Sequence, residues 1–308
     1  MSGSATAGAR PIAVTGASGW VGARVCVALA AEGHAVRRLV RRSRADGEMA
    51  LDLAGEGSEA SWTEALRGCA TVIHCAAHVH RPNETPAERE LFMRVNVTGT
   101  GRLLAAARAA GVSRFVFVSS VAVYDWSGPD GETRGEGAPL APATAYGQSK
   151  YEGERLVQAW PGDWCIARLA TIYGDGDRAN FARLAAALKR GRFLLPGDGG
   201  ARKSVLPVDL AGVLLARLAR PEGGTGIFNL ALPIAPTLAE IFRSLNPAAQ
   251  VTACKDLSAA LNASKDAPFA VITGSLYLVG EALERLGLAP ADAGGRALNE
   301  WCAAEIRR

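Results

Sequence analysis

The sequence predicts an α/β protein with a doubly wound parallel sheet and a smaller C-terminal part. From Pro11 onward, short runs rich in β-branched residues alternate with longer alanine-rich helical patterns, which is typical of βαβ units. The 308 residues exceed what one core usually holds, so we expect one large domain and a smaller one. After Leu169 the alternation loosens, and glycine- and proline-rich stretches such as LLPGDGG divide the chain into short elements.

The individual elements follow from length and periodicity. The predicted strands are short and apolar, and they cover residues 11–15, 35–40, 71–75, 115–119, 164–169 and 226–230. The predicted helices have apolar residues at helical spacing, and they cover residues 19–31, 95–110, 146–160 and 179–190. We expect residues 11–176 to form the main domain, with 204–232 returning to it, and residues 177–203 and 233–308 to form the smaller part.

Composition excludes several classes of protein. The 34 Lys and Arg residues against 30 Asp and Glu give a net charge of +4, too small and too scattered to indicate nucleic acid or a membrane surface as partner. The six cysteines are dispersed, mostly in apolar runs, which favours buried free thiols in a reducing compartment. The first residues carry no apolar leader, and no later segment is apolar enough to span a membrane. We therefore expect a cytoplasmic protein.

The first strand ends in a glycine-rich turn, PIAVTGASGWVG, with Gly16, Gly19 and Gly22 three residues apart. Such a turn lets the backbone approach a pyrophosphate that the N-terminus of the next helix attracts. Glycine also serves tight turns in proteins that bind nothing, but the position at the first strand of a βαβ chain favours a dinucleotide. The predicted dinucleotide contacts in the turn are Gly16, Ser18, Gly19, Trp20, Val21 and Gly22.

The end of the second strand indicates which dinucleotide is bound. An acidic residue there would bond the adenosine ribose of NAD, but this chain has Val40, Arg41 and Arg42. Arginine suits the 2′-phosphate of NADP, so Arg41 predicts NADP as the preferred cofactor, with NAD as the alternative. The run RRLVRRSR is also compatible with a solvated edge or a nucleic-acid patch, but it has no interleaved aromatic residues.

A catalytic pair is indicated by Tyr146-Gly-Gln-Ser-Lys150, whose first and last residues share one helix face. The Lys150 ammonium is expected to lower the pKa of the Tyr146 phenol and make it a usable acid or base. An ordinary surface pair is the alternative. Ser120 favours catalysis, because it ends a predicted strand at the sheet edge that faces a cofactor crevice, where its hydroxyl can bond a substrate oxygen.

The stretch TVIHCAAHVHR raises the question of a metal site. It brings together His74, Cys75, His78 and His80, which are all residue types that bind zinc or copper. Their spacing matches no metal motif of known geometry, so we expect no metal.

The chain resembles an extended short-chain dehydrogenase/reductase of the NAD-dependent epimerase/dehydratase family, which includes UDP-glucose 4-epimerase and nucleotide-sugar 4-ketoreductases. The resemblance covers about residues 11–232 and is strong because the family's motifs occur in the family's order. These motifs are TGASGWVG, Asp52-Leu53, VIHCAAHV, VNVTGT, SSVAVY, YGQSK, RLATIYG and RKSVLPVDLA. It implies a Rossmann-type fold and a smaller C-terminal part that binds substrate.

The resemblance also implies roles for individual residues. For the cofactor, Asp52 and Leu53 hold the adenine, Ala76 and Ala77 pass beneath the ribose, and Lys150 bonds the nicotinamide ribose. For catalysis, Tyr146 is the acid/base, Ser120 orients the reacting C–O bond and Asn96 supports the site. Asn180 and Arg202 stand where similar enzymes contact the diphosphate of a nucleotide-sugar. Alternatively, Asn180 caps the following helix and Arg202 is solvated.

The implied reaction is hydride transfer at C4 of a nucleotide-sugar, by an epimerase or a 4-ketoreductase. Dehydratases of the family have an acidic pair after the hydroxyl residue, whereas Val121 and Ala122 follow Ser120 here, which disfavours dehydration. A reductase of a non-sugar carbonyl and a non-catalytic dinucleotide sensor are the alternatives. The resemblance further implies a homodimer that pairs the helices predicted at 95–110 and 146–160.

Overall fold

The computed structural model describes residues 10–55, 57–79, 85–128, 132–177, 181–182, 184–185, 200–245 and 257–263. The chain forms two compact units, residues 1–176 with 204–234 and residues 177–203 with 235–308. Within the described ranges, no helix combines the length and the apolar character that a bilayer crossing requires.

Strands and helices alternate along the first unit. Its strands are β1 (Ile12–Thr15), β2 (Val36–Val40), β3 (Glu48–Ala50), β4 (Thr71–His74), β5 (Arg114–Ser120), β6 (Asp163–Leu169), β7 (Thr171–Tyr173), β8 (Val205–Pro207) and β9 (Gly226–Leu230). Its α-helices are α1 (Trp20–Ala31), α2 (Glu59–Leu66), α3 (Pro86–Phe92), α4 (Gly99–Ala109), α5 (Ala145–Gln158) and α6 (Val208–Leu218). A π-helical segment, Met93–Thr98, joins α3 to α4.

Seven strands form one parallel sheet in the order β3-β2-β1-β4-β5-β6-β9, and β7 pairs with β8 separately. The chain runs outward from β1 to β3 and then returns to place β4 on the other side of β1. Ligands of open α/β sheets bind at such a reversal, beyond the carboxyl ends of the strands. The predicted fold class, a doubly wound α/β sheet of the Rossmann type, is confirmed.

Two apolar layers cover the sheet, one on each face. On one face, buried residues of α1 and α6 pack against alternate side chains of the central strands, such as Val14 and Val116. On the other, residues of α2, α4 and α5 pack against the opposite set, such as Phe115 and Phe117. Because both faces are covered, the central strands are largely apolar, which is why their sequences show runs rather than alternation.

The predicted strands all occur within one or two residues of their expected bounds, whereas the helices differ more. The helix predicted at 95–110 begins as the π-helical segment and becomes α4 only at Gly99. Several elements have no sequence prediction, namely β3, α2, α3, β7, β8 and α6. The short strands have three residues each, too few to show a period. Most of the helix predicted at 179–190 lies outside the described residues.

In the second unit, the described residues include two helices, α7 (Leu238–Leu245) and α8 (Leu257–Ala263). Thr237 and Glu240 form a capping box at the start of α7. The Glu240 amide donates to Thr237 Oγ1 at 3.1 Å, and the Thr237 amide donates to Glu240 Oε2 at 2.7 Å. Arg202 lies in an antiparallel bridge with Thr237.

Candidate active site

The turn after β1 is held together by close contacts between backbone atoms. Gly16 has a φ of +66°, and a Cβ at this position would lie 2.8 Å from the amide nitrogen of Ala76. A Cβ at Gly22 would lie only 2.2 Å from the carbonyl oxygen of Gly16. The Gly19 amide donates to that same oxygen at 2.8 Å. Glycine is therefore required at these positions for the turn to fold back on α1 and the segment after β4.

The N-terminus of α1 is open to a ligand. Its N-cap residue, Gly19, provides no side-chain hydrogen bond to the first helical amides. Ser18 and Gly19 are exposed, while Trp20 and Val21 are half-buried. Unfilled amides at a helix N-terminus attract a phosphate, so the turn fits the pyrophosphate of a dinucleotide. The Trp20 side chain donates from Nε1 to the carbonyl oxygen of Asp175 at 2.8 Å, so its indole lies against the segment after β7.

The arginines around β2 divide into two groups. Arg37 donates to the carbonyl oxygens of Ala65 and Arg67, and Arg38 pairs with Glu48 at 3.2 Å. Arg41 and Arg42, beyond the end of the strand, are exposed. The predicted 2′-phosphate contact, Arg41, therefore lies at the carboxyl edge of β2.

The predicted adenine residues follow β3. Asp52 is half-buried, and its Oδ1 accepts a hydrogen bond from the Ala54 amide at 3.0 Å, which makes a tight local turn. The Leu53 side chain is buried in the core, and a Cβ at Gly99 would lie 2.9 Å from it. Leu53 thus packs against the start of α4, which leaves Asp52 as the more accessible of the two.

His74 is part of a hydrogen-bond chain rather than a metal site. Its Nδ1 lies 2.7 Å from Thr15 Oγ1 and its Nε2 lies 3.0 Å from Thr100 Oγ1. Thr100 donates its own proton to the carbonyl oxygen of Asn96, so it accepts from His74, and the imidazole proton is on Nε2. Thr15 in turn accepts from the Ala76 amide at 3.2 Å and donates to Nδ1. Burial lowers the pKa of His74 to about 3, and the nearby Lys150 adds to this effect.

Asn96 joins the segment after β4 to the helix that carries Tyr146. Its Oδ1 accepts from the His78 amide at 2.7 Å, and its Nδ2 donates to the His78 carbonyl at 3.0 Å. The same Nδ2 donates to Ser149 Oγ at 2.9 Å, and Ser149 donates to the carbonyl oxygen of Tyr146 at 2.8 Å. Ala76 and Ala77, just before this clamp, are half-buried at the sheet edge.

The structure brings Ser120 and Tyr146 together. Ser120 ends β5, and its hydroxyl lies close enough to the Tyr146 phenol to oppose the rise in the pKa of that phenol. Thr144 caps α5 by accepting from the Gly147 amide at 3.0 Å. A Cβ at Gly147 would lie 2.5 Å from the carbonyl oxygen of Ala122, so glycine allows the first turn of α5 to reach the turn after β5. This close packing places the phenol beside the hydroxyl.

Lys150 lies one helical turn beyond Tyr146 and is buried. Its Nζ donates to the carbonyl oxygen of Val118 at 2.9 Å and lies 5.0 Å from the centre of the Phe117 ring. Burial lowers the pKa of Lys150 to about 8, whereas Cys75 and Glu154 act in the opposite direction.

The predicted lowering of the Tyr146 pKa is wrong for this structure. Burial raises the pKa of the phenol to about 12, and the Ser120 hydroxyl only partly opposes this. The physical reason is that desolvation penalises the phenolate, while the Lys150 ammonium is directed to a backbone carbonyl. At neutral pH Tyr146 therefore keeps its proton.

One aromatic side chain near Tyr146, that of Phe92, was not predicted from the sequence. Phe92, at the end of α3, has its ring centre 6.0 Å from that of Tyr146 and 4.7 Å from that of His78. Phe92 is fully buried, so it supports the ring of Tyr146 from behind. Apolar residues on short helices give no sequence signal that separates such a support from ordinary core.

The predicted diphosphate contacts lie in the second unit. Arg202 is exposed and donates to the carbonyl oxygen of Ala235 at 2.6 Å. Asn180 lies outside the described residues, as does His80. Among the residues that the structure describes, no cluster of three or more His, Cys, Asp or Glu side chains could hold a metal ion.

A model of the NAD-dependent epimerase/dehydratase family matches residues 12–231 of the chain. The chain therefore belongs to this family, and the resemblance that the motifs indicated is confirmed. It is an NAD(P)-dependent enzyme of the extended short-chain dehydrogenase/reductase type.

Individual relatives differ in the substrates that their names give. The chain is 28% identical over 246 residues to N-acetyl-alpha-D-glucosaminyl-diphospho-ditrans,octacis-undecaprenol 4-epimerase of Escherichia coli O157:H7, covering 76% of this chain and 72% of that protein. It is 34% identical over 223 residues to 4-hydroxy-2-methyl-3-oxo-4-farnesyl-3,4-dihydroquinoline-1-oxide ketoreductase of Stigmatella aurantiaca, covering 69% and 65%. Among solved structures, MoeE5 in complex with UDP-glucose and NAD is similar, with a TM-score of 0.66, 25% identity and coverage of 91% of this chain and 100% of that one.

Proposed function

We propose that this protein transfers hydride at C4 of a nucleotide-linked hexose, as a 4-ketoreductase or a 4-epimerase. The observation that carries the proposal is the arrangement at the carboxyl edge of the parallel sheet. Ser120 ends β5 there, and Tyr146 and Lys150 lie one turn apart on α5, where Lys150 Nζ donates to the Val118 carbonyl of β5 at 2.9 Å. The structure that binds UDP-glucose and NAD supports the nucleotide-sugar class. The relative named as a 4-epimerase of an undecaprenol-linked diphospho-sugar supports reaction at C4 of a diphosphate-linked sugar.

The backbone cradle fits a dinucleotide. Gly16 and Gly22 leave no room for a Cβ, and the uncapped N-terminus of α1 provides amides for a pyrophosphate. When bound, the nicotinamide supplies the acceptor or donor of the hydride. In this arrangement Asp52 would bond the adenine side, Ala76 and Ala77 would line the ribose side, and Lys150 would bond the nicotinamide ribose.

Tyr146 moves the proton that balances the hydride. Because its phenol is protonated at neutral pH, it is ready to donate to the oxygen of a C4 ketone as hydride reaches the carbon, which is the reductive direction. In the oxidative direction the C4 hydroxyl would give its proton to the phenolate form of Tyr146, which the raised pKa makes scarce at neutral pH. Ser120 bonds the same oxygen in both directions and fixes its distance from Tyr146. Dehydration is disfavoured, because Val121 and Ala122 provide no acid beside Ser120.

NADP is the cofactor that we propose is preferred, with NAD as the alternative. Arg41 is exposed at the carboxyl edge of β2, where a 2′-phosphate would lie, and no acidic residue follows the strand directly. The solved neighbour named above was obtained with NAD, so the two cofactors need direct comparison.

We also propose a homodimer through α4 and α5. Leu156 of α5 is 36% exposed, and its Cδ1 would lie 3.7 Å from a Cβ at Gly101 of α4, so the two helices present an apolar face with little side-chain bulk. A Leu156→Arg variant should be monomeric by light scattering at micromolar concentration while the parent is dimeric. A monomeric parent would refute the dimer.

The function is tested by incubating the protein with NADPH and a UDP-4-keto-6-deoxy-hexosamine and following the loss of NADPH absorbance. Conversion of UDP-GlcNAc or UDP-glucose to its 4-epimer without net cofactor use would select the epimerase. Turnover of an apolar ketone instead would favour a reductase of non-sugar carbonyls, which the relationship to the quinoline-oxide ketoreductase makes the second candidate. Dinucleotide binding without turnover of either class would indicate a sensor.

A further inference from the structure

A buried ion pair lies beneath the proposed active site. Arg168 of β6 and Glu154 of α5 have side chains that are 1% and 2% exposed, and Arg168 Nη2 lies 2.6 Å from Glu154 Oε2. Arg168 Nε also donates to Glu154 Oε1 at 2.9 Å, so the guanidinium and the carboxylate meet with two parallel bonds. Arg168 is the largest fully buried side chain among the described residues.

The remaining hydrogen-bonding groups of the pair are used as well. Ser119 donates from Oγ to Glu154 Oε1 at 2.5 Å. Arg168 Nη1 donates to the Tyr124 hydroxyl at 2.9 Å and to the Glu136 carbonyl at 3.0 Å. The Tyr124 hydroxyl donates to Asn229 Oδ1 at 2.7 Å. We call Ser119, Tyr124, Glu154, Arg168 and Asn229 the buried network.

Sheet register explains how these residues meet. Ser119 of β5 lies opposite Arg168 of β6, and Arg168 lies opposite Asn229 of β9. Side chains at paired positions of a parallel sheet point to the same face, so the three form one polar row across the sheet. The row faces α5, where the Glu154 carboxylate accepts hydrogen bonds from Ser119 and Arg168. A Cβ at Gly153 would lie 2.7 Å from Phe117 Cζ, which shows how closely α5 approaches the sheet here.

Three members of the buried network, Ser119, Tyr124 and Glu154, lie close in sequence to residues that the proposed reaction uses. Glu154 follows Lys150 by four residues and Tyr146 by eight, so all three occupy one face of α5. Ser119 directly precedes Ser120 on β5, and Tyr124 ends the short turn that follows Ser120. The described contacts of Glu154 and Arg168 include no bond to Ser120 or Tyr146, so they do not act on a reacting atom directly.

Stability alone is a weak reason for such a pair. Moving two charges out of water costs about as much free energy as their attraction returns, and apolar side chains of similar size are often as stable. What a fully bonded ionic pair does provide is a fixed geometry, because the planar guanidinium donates two parallel hydrogen bonds to the carboxylate and so sets their relative orientation.

We propose that Glu154 and Arg168 are positioning residues, which hold α5 against the end of β5 so that Ser120, Tyr146 and Lys150 keep their mutual geometry. Through Nη1, Arg168 also holds the segment from Tyr124 to Glu136 at the same sheet edge. This role rests on the proposed function for its catalytic consequence, but its structural consequence can be measured without a substrate.

The test replaces the pair by apolar residues, Glu154→Leu with Arg168→Met, in the full chain. The matched control is Glu152→Leu with Arg155→Met, which removes an ion pair of 3.3 Å on the solvent side of the same helix. The measurements are the urea midpoint, the NADPH Kd, hydrogen exchange of the amides at 145–150, and kcat and KM for whichever substrate the parent turns over in the assays described under the proposed function. The expected result is a folded variant with NADPH Kd within about threefold of the parent. Its kcat should fall by about 100-fold with little change in KM, because small misplacements of catalytic groups cost that much. Exchange at 145–150 should be faster, and the control should match the parent.

Unchanged exchange at 145–150 in the folded variant would overturn the proposal whatever the activity, and so would an unchanged kcat. If the parent turns over no substrate, the proposed function fails, and exchange alone decides on positioning. Should the double variant not fold, Ser119→Ala removes one bond of the buried network, and Tyr124→Phe removes the two bonds to Arg168 and Asn229. Neither variant leaves a buried charge without its partner. Faster exchange at 145–150 in both would support positioning, and parent-like exchange in either would overturn it.

Discussion

The two parts of the proposed active site, the glycine turn after β1 and the N-terminal end of α5, which we call the catalytic end, are built in different ways. The turn depends on the absence of side chains, since Gly16 and Gly22 bring backbone atoms of β1, α1 and the segment after β4 within contact. The catalytic end depends on side chains from distant parts of the chain, which meet as an ion pair of 2.6 Å between Arg168 and Glu154. The difference teaches that one site can combine a part specified by local sequence with a part specified only by the fold.

The largest effect on the backbone-built part is expected for Gly22→Ala. Its Cβ would lie 2.2 Å from the carbonyl oxygen of Gly16, so the turn must move. Overpacking of this kind costs about 1–3 kcal/mol, and we expect the dinucleotide Kd to rise by about 10- to 100-fold. Calorimetric titration with NADH and NADPH measures this. Parent-like affinity would show that the turn does not hold the cofactor.

The next largest effect is expected for His74, whose hydrogen bonds with Thr15 and Thr100 join the end of β1 to α4. Its pKa is about 3 in the folded protein against 6.5 for the free side chain, so the unfolded state binds a proton first as the pH falls. The stability that His74 contributes is full above pH 6.5 and is lost as the pH drops towards 3. Between pH 7 and pH 5 this loss is about 2 kcal/mol. Urea titrations of the parent and His74→Gln should differ in pH dependence by that amount; identical slopes would contradict a buried neutral imidazole.

A smaller effect is expected for Arg41→Ala. This variant sharpens the comparison, because Arg41 is the side chain that we propose contacts the dinucleotide next to the glycine turn. Loss of one charge-assisted phosphate bond should weaken NADPH by about tenfold and leave NADH unchanged. Arg37→Ala is the matched control, since Arg37 is bonded to the carbonyl oxygens of Ala65 and Arg67. Equal losses for both dinucleotides, or tighter NADH binding in the parent, would refute the NADP preference.

The smallest effect is expected for Gly101→Ala, a glycine in the interior of α4. Its Cβ would meet only Leu156 Cδ1, at an ordinary 3.7 Å. Alanine is favoured over glycine within helices, so the variant should gain about 0.5–1 kcal/mol in the free energy of unfolding. Gly101→Ala is also the control for Gly22→Ala and should bind dinucleotide with the affinity of the parent. If it loses as much dinucleotide affinity as Gly22→Ala does, the effect at Gly22 is not specific to the turn.

The sequence predicted most of what depends on neighbouring residues. The glycine turn and the strands β1, β2, β4, β5, β6 and β9 follow from runs and spacing within a few positions, whereas the approach of Ser120 to Tyr146 follows from motifs in a fixed order. The π-helical segment could not be read in this way, because Met93–Thr98 has the composition of an ordinary helix.

The polar row of Ser119, Arg168 and Asn229 required the sheet register, since its members come from three strands far apart in sequence. The raised pKa of Tyr146 likewise depends on burial by surrounding elements. The spacing on one helix indicated that Lys150 is near Tyr146, but it gave no information on how far the Tyr146 phenol is removed from water.

The central claim is that the glycine turn binds the dinucleotide while Tyr146 moves the proton, so the two functions are separable. The measurement that tests it most directly is kcat and dinucleotide Kd for Tyr146→Phe on the same preparation. We expect kcat to fall by about 10²- to 10⁴-fold, because general acid catalysis is lost, with Kd within about threefold of the parent. A Tyr146→Phe variant that keeps its turnover would contradict the account.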